Sequence, residues 1–477
     1  ARTWFERTRK KILPSAPGLY NDETPGSVSR FKKHPLLLSL CRMLVERQQA
    51  DFARELESGL GDASTGATVV ARWRKLEGQP LVPRVHALRT WLLNEAHELP
   101  PATRQRADNV LRRLSRRAKD VLTDWSELLT DRRLLESAVA ERAAGAFTAR
   151  ELDEVCAWCA RQVEEVPAKE EEEHERDKER DEEAPESGEE RDDHTPYLSV
   201  DGHDEREVEG AGRLDRPDDS LLVYLHLLKH GGLKPPTGPA ISYEHVVVDE
   251  AQDLSAVELK VLVEAAGRGR CVTLAGDTAQ RLVFDNAFSS WEALLEELGI
   301  PATTSATLRL GYRSTGEVMA LARSLLGSVA PEGEPAAVRS GAPVELHRFA
   351  SQGEAVAMLS EALRSLALRE PLASVALIAR YPAQAISYAQ SLTQAEVPAV
   401  RLVRHQDFSF KAGIEVTDVA QVKGLEFDYV LLLDVTARNF PDSLESRHLL
   451  HIAATRAAHQ LWLVSVGDPS PLLPATL

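Results

Sequence analysis

Two apolar runs end in residues that can do chemistry. Val246-Val247-Val248 leads into Asp249-Glu250-Ala251-Gln252-Asp253. A β-branched run of this kind predicts a buried strand, and in open parallel sheets ligand sites gather at the carboxyl ends of strands. An aspartate placed there can hold a phosphate-bound magnesium ion, directly or through water, and a neighbouring glutamate can polarise an attacking water. The same acids also suit a helix start, where they complement the dipole. The second run, Val272-Thr273-Leu274-Ala275, ends in Gly276-Asp277-Thr278-Ala279-Gln280. A glutamine in that place can sense a γ-phosphate or its attacking water, although Gly-Asp after a strand is also an ordinary turn.

Two other clusters invite a reading. Cys156-Ala157-Trp158-Cys159 has metal or redox spacing, but no second CxxC or HxxxH follows at finger spacing, so core cysteines one helical turn apart are expected. Arg112, Arg113, Arg116, Arg117 and Lys119 form one face of a helical stretch. They suit a solvated surface, with polyanion contact as the alternative.

The elements that must position these residues fall into two textures. The first third has helical periodicity, predicting helices over about 36–60, 85–98 and 102–129. Thr148 and Glu151 form a capping box that opens a further helix through Val163. From Ser220 short apolar strands alternate with helical stretches: 245–248, helix 255–266, 271–275, 375–379, 414–416, 429–433 and 461–464. That alternation predicts parallel sheets with helices on both faces.

Charge separates the two textures. Residues 164–219 hold 25 acidic and 8 basic residues, which is the whole net charge of −17, and the remainder balances at 49 of each. So acidic a segment cannot bury enough apolar surface to offset its ordering entropy, and it reads as a flexible linker or loop. The global acidity therefore does not argue against a nucleic-acid partner. With 477 residues, two or more domains are expected. Four scattered cysteines suggest a reducing compartment. No apolar run approaches the roughly 20 residues needed to cross a bilayer, and no charged-then-apolar leader is visible, so secreted and membrane classes fit poorly.

Taken together, the motifs resemble those of superfamily 1 helicases of the UvrD/Rep/PcrA type. Asp249 to Asp253 resembles motif II and Gly276 to Gln280 motif III. Leu308-Arg309-Leu310-Gly311-Tyr312-Arg313-Ser314-Thr315 resembles motif IV, Lys423-Gly424-Leu425-Glu426-Phe427-Asp428 motif V, and Glu445 to Ala457 motif VI. The resemblance implies ATP and magnesium as cofactors and two RecA-like P-loop NTPase folds carrying a helical accessory insertion. In it Asp249 holds magnesium, Glu250 activates water, and Gln280 contacts the γ-phosphate. Tyr312 stacks on adenine, Arg313 and Arg456 reach the γ-phosphate, and Glu426 lies near the ribose with Gly424 allowing close approach. The implied organisation is a helical accessory region over 1–163, the acidic segment 164–219, a first motor domain over 220–300 and a second over 301–477.

The departures from the family pattern are as informative. The chain holds no Gly-Lys-Thr or Gly-Lys-Ser and begins Ala-Arg-Thr, so we expect it to start downstream of the P-loop, to leave the first motor fold incomplete and to hydrolyse ATP poorly alone. Only about 110 residues separate Thr315 from Lys423, which leaves little room for a second accessory domain. Asp285, with Phe284 beside it, stands where the family places a DNA-stacking aromatic, and motif V lacks its usual histidine. These features look more like the helicase IV/HelD branch. The leading expectation is the motor core of a DNA helicase or translocase in a bacterial, cytoplasmic, nucleoid-associated setting. The alternatives are a HelD-like ATPase that remodels or releases RNA polymerase, and a motor-derived scaffold without ATPase.

Overall fold

The computed structural model describes residues 1–477 apart from 22, 60–62, 97–98, 165–212, 268, 270, 278–279, 281–285, 288–289, 301–305, 309, 312, 331–335 and 338. It divides into two units: Ala1–Asp249 with Leu254–Leu274 and Asp285–Ile300, and Glu250–Asp253 with Ala275–Phe284 and Pro301–Leu477.

The first unit is mainly helical. It comprises α1 (Arg2–Ile12), β1 (Leu19–Tyr20), α2 (Gly26–Lys33), α3 (Leu36–Gly59), α4 (Ala63–Lys75), α5 (Leu81–Asn94), α6 (Pro101–Lys119), α7 (Val121–Thr130), α8 (Arg132–Arg142) and α9 (Ala149–Glu164). After the acidic segment come β2 (Arg213–Leu214), α10 (Asp218–His230), β3 (His245–Val248), α11 (Ala256–Ala265), β4 (Cys271–Leu274) and α12 (Trp291–Leu298). One apolar core joins α1–α3 and α7–α9 to α10 and α11, and a second is built by the end of α3 with α4–α6. α10 crosses the first core, with Leu221, Leu222, Val223, Tyr224 and Leu225 all buried.

Three sequence expectations change in this unit. The helix expected over 102–129 breaks at Asp120, whose carboxylate accepts from the Thr123 N–H (3.0 Å) and hydroxyl (2.7 Å) and so caps α7. Lys229 donates to the exposed carbonyls of Arg117 and Asp120 at the break (3.2 and 3.1 Å) and pairs with Asp124. The strand 245–248 is largely exposed, with Val247 66% accessible. Among the described residues it pairs only with β4, in parallel, so one face of this two-stranded sheet carries His245, Val247, Cys271 and Thr273 to the outside.

The third change concerns the acidic segment, whose last residues are core. Lys32 is fully buried and donates to Asp215 and Asp218 (both 2.7 Å), whose side chains are also fully buried, and Arg9 pairs with buried Asp219. The tail-like charge therefore stops before Asp215, and its final acids are internal counter-ions. Of the basic helical face, Arg112 pairs with Asp108 (2.7 Å), and Arg113 and Arg117 pair with Glu55 (3.2 and 2.7 Å). Cys159 is buried and Cys156 half-buried on α9, and among the described residues no cluster of three or more metal-binding side chains occurs.

The second unit is α/β. It contains β5 (Leu310–Gly311), α13 (Gly316–Leu326), β6 (Ala336–Ala337), β7 (Glu345–Phe349), α14 (Gln352–Arg369), β8 (Ser374–Ala379), α15 (Pro382–Gln394), β9 (Val400–Leu402), β10 (Gly413–Asp418), β11 (Phe427–Leu432), α16 (Leu444–Ala454) and β12 (Ala457–Val466). Six strands form one parallel sheet in the order β7-β12-β11-β8-β10-β9. The central strands β8 (SVALIA) and β11 (FDYVLL) are largely apolar because both faces of the sheet are covered, whereas the edge strands β7 (ELHRF) and β9 (VRL) carry charges. Val375, Leu377 and Ala379 of β8 enter one core with α14 and α15, whereas Ala376 and Ile378 enter the other with α13 and α16. The stretch between motifs IV and V is thus absorbed by the sheet: β7, β8 and β9 with α14 and α15 occupy most of it. The fold class is mixed α/β, and among the described residues every sheet is parallel.

Candidate functional site

The second unit brings most of the expected site residues together. Glu250 lies just after β3, and its φ of +53° is left-handed, a conformation costly for a residue with a Cβ. Three bonds hold it there: the Asp253 N–H donates to its carbonyl (3.0 Å), the Gln252 amide donates to its carboxylate (2.7 Å), and Lys423 pairs with that carboxylate (3.0 Å). Fully buried Gln252 also accepts from the Asp277 N–H (3.2 Å), which ties the motif II turn to the motif III turn. The Ala251 N–H adds a bond to the Ala275 carbonyl (2.9 Å).

Lys423 stands at the centre of this polar group. Its ammonium donates to Asp253 (2.5 Å) and to the Gln280 carbonyl (2.7 Å) besides pairing with Glu250. The loop that carries it leaves β10 and turns into β11, and Gly424 at φ +78° gives the turn the left-handed residue it needs. Sequence reading gave Lys423, Gln252 and Asp253 no role. All three lie inside the quoted motifs, so the available signal was their charge and amide chemistry rather than any further spacing.

Arg456 follows α16, whose start is capped by Ser443: its hydroxyl oxygen accepts from the Ser446 N–H (3.2 Å). Arg456 is 2% exposed, and its guanidinium donates to the Gln280 side chain (2.6 Å), the Leu425 carbonyl (3.1 Å), the Ile452 carbonyl (3.0 Å) and the Thr455 hydroxyl (3.1 Å). Burial holds it below its ordinary pKa, while Glu250 pulls the other way. Arg313 pairs with Glu426 and is 69% exposed. Asp249 closes the first unit, and Tyr312 lies outside the described residues. Glu250, Gln280, Arg313, Gly424, Glu426 and Arg456 thus all belong to the second unit, with Gln280 joined directly to Arg456 and Arg313 to Glu426.

The arrangement offers two things chemically. It presents planar, permanently charged guanidinium donors, one of them desolvated, which suit phosphate oxygens. It also presents a carboxylate, Glu250, whose position is fixed by three separate partners.

Residues 413–464 match the family described as the UvrD-like helicase C-terminal domain. This segment is therefore similar to UvrD-like helicase C-terminal domains. The match runs from β10 through motifs V and VI to β12, and so covers Gly424, Glu426 and Arg456. No curated protein matches the chain. Among solved structures, the chain is similar to the C-terminal domain of a possible DNA helicase from Lactobacillus plantarum WCFS1, at 24% identity and a TM-score of 0.30, covering 35% of this chain and 96% of that one. The arterivirus nonstructural protein 10 helicase is similar at 18% identity and a TM-score of 0.26, covering 50% of this chain and 42% of that one. The PRRSV helicase is similar at 16% identity and a TM-score of 0.26, covering 50% of this chain and 36% of that one. No helix among the described residues is long and apolar enough to cross a membrane.

Proposed function

We propose that the chain is the motor part of an ATP-dependent superfamily 1 helicase or translocase that acts on DNA. One observation carries the reading: Glu250, Gln280, Lys423 and Arg456, contributed by motifs II, III, V and VI, form one hydrogen-bonded group around a desolvated guanidinium. In this reading Arg456 and Arg313 take the γ-phosphate oxygens, and Gln280 reports their position. Glu250 accepts a proton from the attacking water.

In this reading the motif II carboxylates serve magnesium. Glu250 and Asp253 already hold a positive charge between them, the Lys423 ammonium, and magnesium is ordinarily held by one or two carboxylates plus substrate phosphates rather than by a protein cage. Asp249 would hold it, and its chemistry would be to neutralise charge on the phosphates. Tyr312 is proposed as the adenine-stacking residue and Glu426 as the ribose acceptor.

The chain contains no P-loop lysine within its 477 residues, so poor hydrolysis by the chain alone belongs to this reading. The test is phosphate-resonance titration with ATP, together with anisotropy of a labelled single-stranded oligonucleotide at two salt concentrations. Binding of both, with DNA affinity falling steeply as salt rises, is expected. Absence of ATP binding, or single-turnover hydrolysis at the rate of a complete motor, overturns it.

A second reading has its own support. The stretch between motifs IV and V is taken up by β7–β9 of the sheet, which suits a HelD-like ATPase working on RNA polymerase. Co-purification with polymerase, and ATP binding indifferent to DNA, distinguishes it. A scaffold without ATPase is what remains if neither ATP nor DNA binds.

A further inference from the structure

The helical unit is built on two apolar cores that share no residue. α3 serves both: Leu36 to Leu44 enter the first, Phe52 and Leu56 the second. The chain returns at the break between α6 and α7, where Ala118 is the last residue of the second core and Val121 the next of the first. Residues 49–119 thus form a lobe with one entry, at the middle of α3, and one exit, at Asp120.

Both crossings are polar, and one buried group joins them. Gln48, in the gap between the cores on α3, donates to Asp124 of α7, and Lys229 of α10 pairs with the same carboxylate. The Lys229 ammonium also donates to the Arg117 and Asp120 carbonyls (3.2 and 3.1 Å), at the exit. His226 lies on the same face of α10, three residues before Lys229, and its ring stacks on His230 at 3.8 Å. Pro80, just ahead of α5, packs on Gly231, where a Cβ would come within 2.5 Å of its ring. The seam is not fully satisfied. Gln48 Oε1 and both ring nitrogens of His226 are buried with no hydrogen bond of good geometry among the described residues. Buried polar atoms are ordinarily paired, so water entering a parted seam would satisfy these three and offset the bonds that Lys229 gives up.

We propose that the lobe 49–119 turns as a body about these two crossings, with Lys229 as the clamp that holds it against α7 and α10. Contacts within a chain hold fast where they are large and apolar. Here the two cores stay separate, and the crossings run through an ion pair, an amide and backbone carbonyls. Motion about such a seam leaves both cores packed. A turn of about 10° carries the far end of α6, which has 19 residues and is about 28 Å long, through about 5 Å. Arg106, Arg116 and Lys119 are exposed on α6, so the turn re-aims this cationic face relative to α7 and α10. The hinge lies wholly in the first unit and stands apart from the nucleotide reading.

Double electron–electron resonance between spin labels on the whole chain reads the turn. One label pair joins Leu93→Cys, on the lobe, to Ser137→Cys on α8. A second joins Thr3→Cys on α1 to Ser137→Cys and lies wholly outside the lobe. All three sites are exposed, and Cys156→Ser and Cys271→Ser remove the accessible native thiols. Lys229→Met with Asp124→Asn removes the clamp without leaving a stranded carboxylate. Expected is a 93–137 distance distribution that broadens or shifts by about 5 Å in the clamp-free variant, while the 3–137 distribution stays that of the parent. His226→Phe, which keeps a ring but removes the two unpaired nitrogens, narrows the 93–137 distribution. A 93–137 distribution unchanged by loss of the clamp, or a 3–137 pair that broadens equally, overturns the hinge. Where the clamp-free variant does not fold, an unchanged distribution in His226→Phe overturns it.

Discussion

The charge cluster around Lys32 gives the sharpest test of how the first unit is held together. Lys32→Met keeps most of the side-chain volume but removes the ammonium from two carboxylates, Asp215 and Asp218, that are both fully buried. Removing one partner of a buried ion pair costs about 3–5 kcal/mol, because the remaining charge is left uncompensated. Neutral donors stay in place: Asn21 (2.8 Å), Thr24 (2.9 Å) and the Trp158 indole (2.9 Å) on Asp215, and the Trp125 indole (3.0 Å) on Asp218. They keep the loss to about 4 kcal/mol rather than more. The pH dependence separates charge from packing. Burial raises Asp218 above the ordinary carboxylate range, and Lys32 opposes that shift. Without the ammonium the folded pKa rises further, so the folded variant takes up a proton that the unfolded chain lacks, and its stability falls as pH rises. The deficit against the parent is therefore largest at pH 7 and shrinks toward pH 5. Urea unfolding followed by tryptophan fluorescence measures this, since Trp125 and Trp158 both touch the cluster. A deficit below about 1 kcal/mol at pH 7, or one that does not change with pH, would refute the reasoning.

Three further outcomes are expected. Arg456→Lys cannot reach Gln280 and the Leu425 carbonyl together, so ATP affinity read from phosphate resonances should fall about tenfold or more. Burial pushes His226 down to about 3, so below the unfolded value of about 6.5 the unfolded chain binds the proton first. Stability contributed by His226 is present above about pH 6.5 and lost as pH falls toward 3, by about 2 kcal/mol at pH 5, and His226→Phe should flatten that slope in urea unfolding. Gly231 ends α10 at φ +71°, and a Cβ there would sit 2.5 Å from Pro80, so Gly231→Ala should lower stability by about 2 kcal/mol or more in the same assay.

The order of the motifs and the α/β texture were legible from the sequence, because apolar runs of strand length and the turns after them are local features. The strands at 375–379, 429–433 and 461–464 come within two residues or so of the start of β8 and β11 and lie inside β12. What depended on distant partners was not legible. Asp215, Asp218 and Asp219 look like the end of a solvated acidic run, and only Lys32 and Arg9, some 180 to 210 residues earlier in the chain, make them internal. The break at Asp120 was hidden because apolar periodicity runs through it, and the decisive contact comes from Lys229. Val247 was expected to be buried because β-branched runs usually are, yet burial depends on neighbouring strands that a local pattern does not reveal. In the candidate site, the motifs pointed to Gln280 and Arg456 separately. That they bond to each other, and that Lys423 lies among Glu250, Asp253 and Gln280, follows only from the fold.

The charge balance of the site carries a consequence for how it would work. Lys423, Arg313 and Arg456 are three cations, and Glu250, Asp253, Asp277 and Glu426 are four carboxylates in the same unit. Two of the cations are held in ion pairs within the group, and Arg456 is held by an amide, a hydroxyl and two carbonyls. A triphosphate entering alone would meet a set with no surplus of positive charge, so it must displace these internal partners one for one. Each displacement releases a carboxylate or amide that the chain was using to fix a loop: Glu426 before β11, or Gln280 in the motif III turn. On the proposed nucleotide reading, phosphate binding and loop release would be the same event. A site that was merely positive would bind phosphate more tightly but would move nothing.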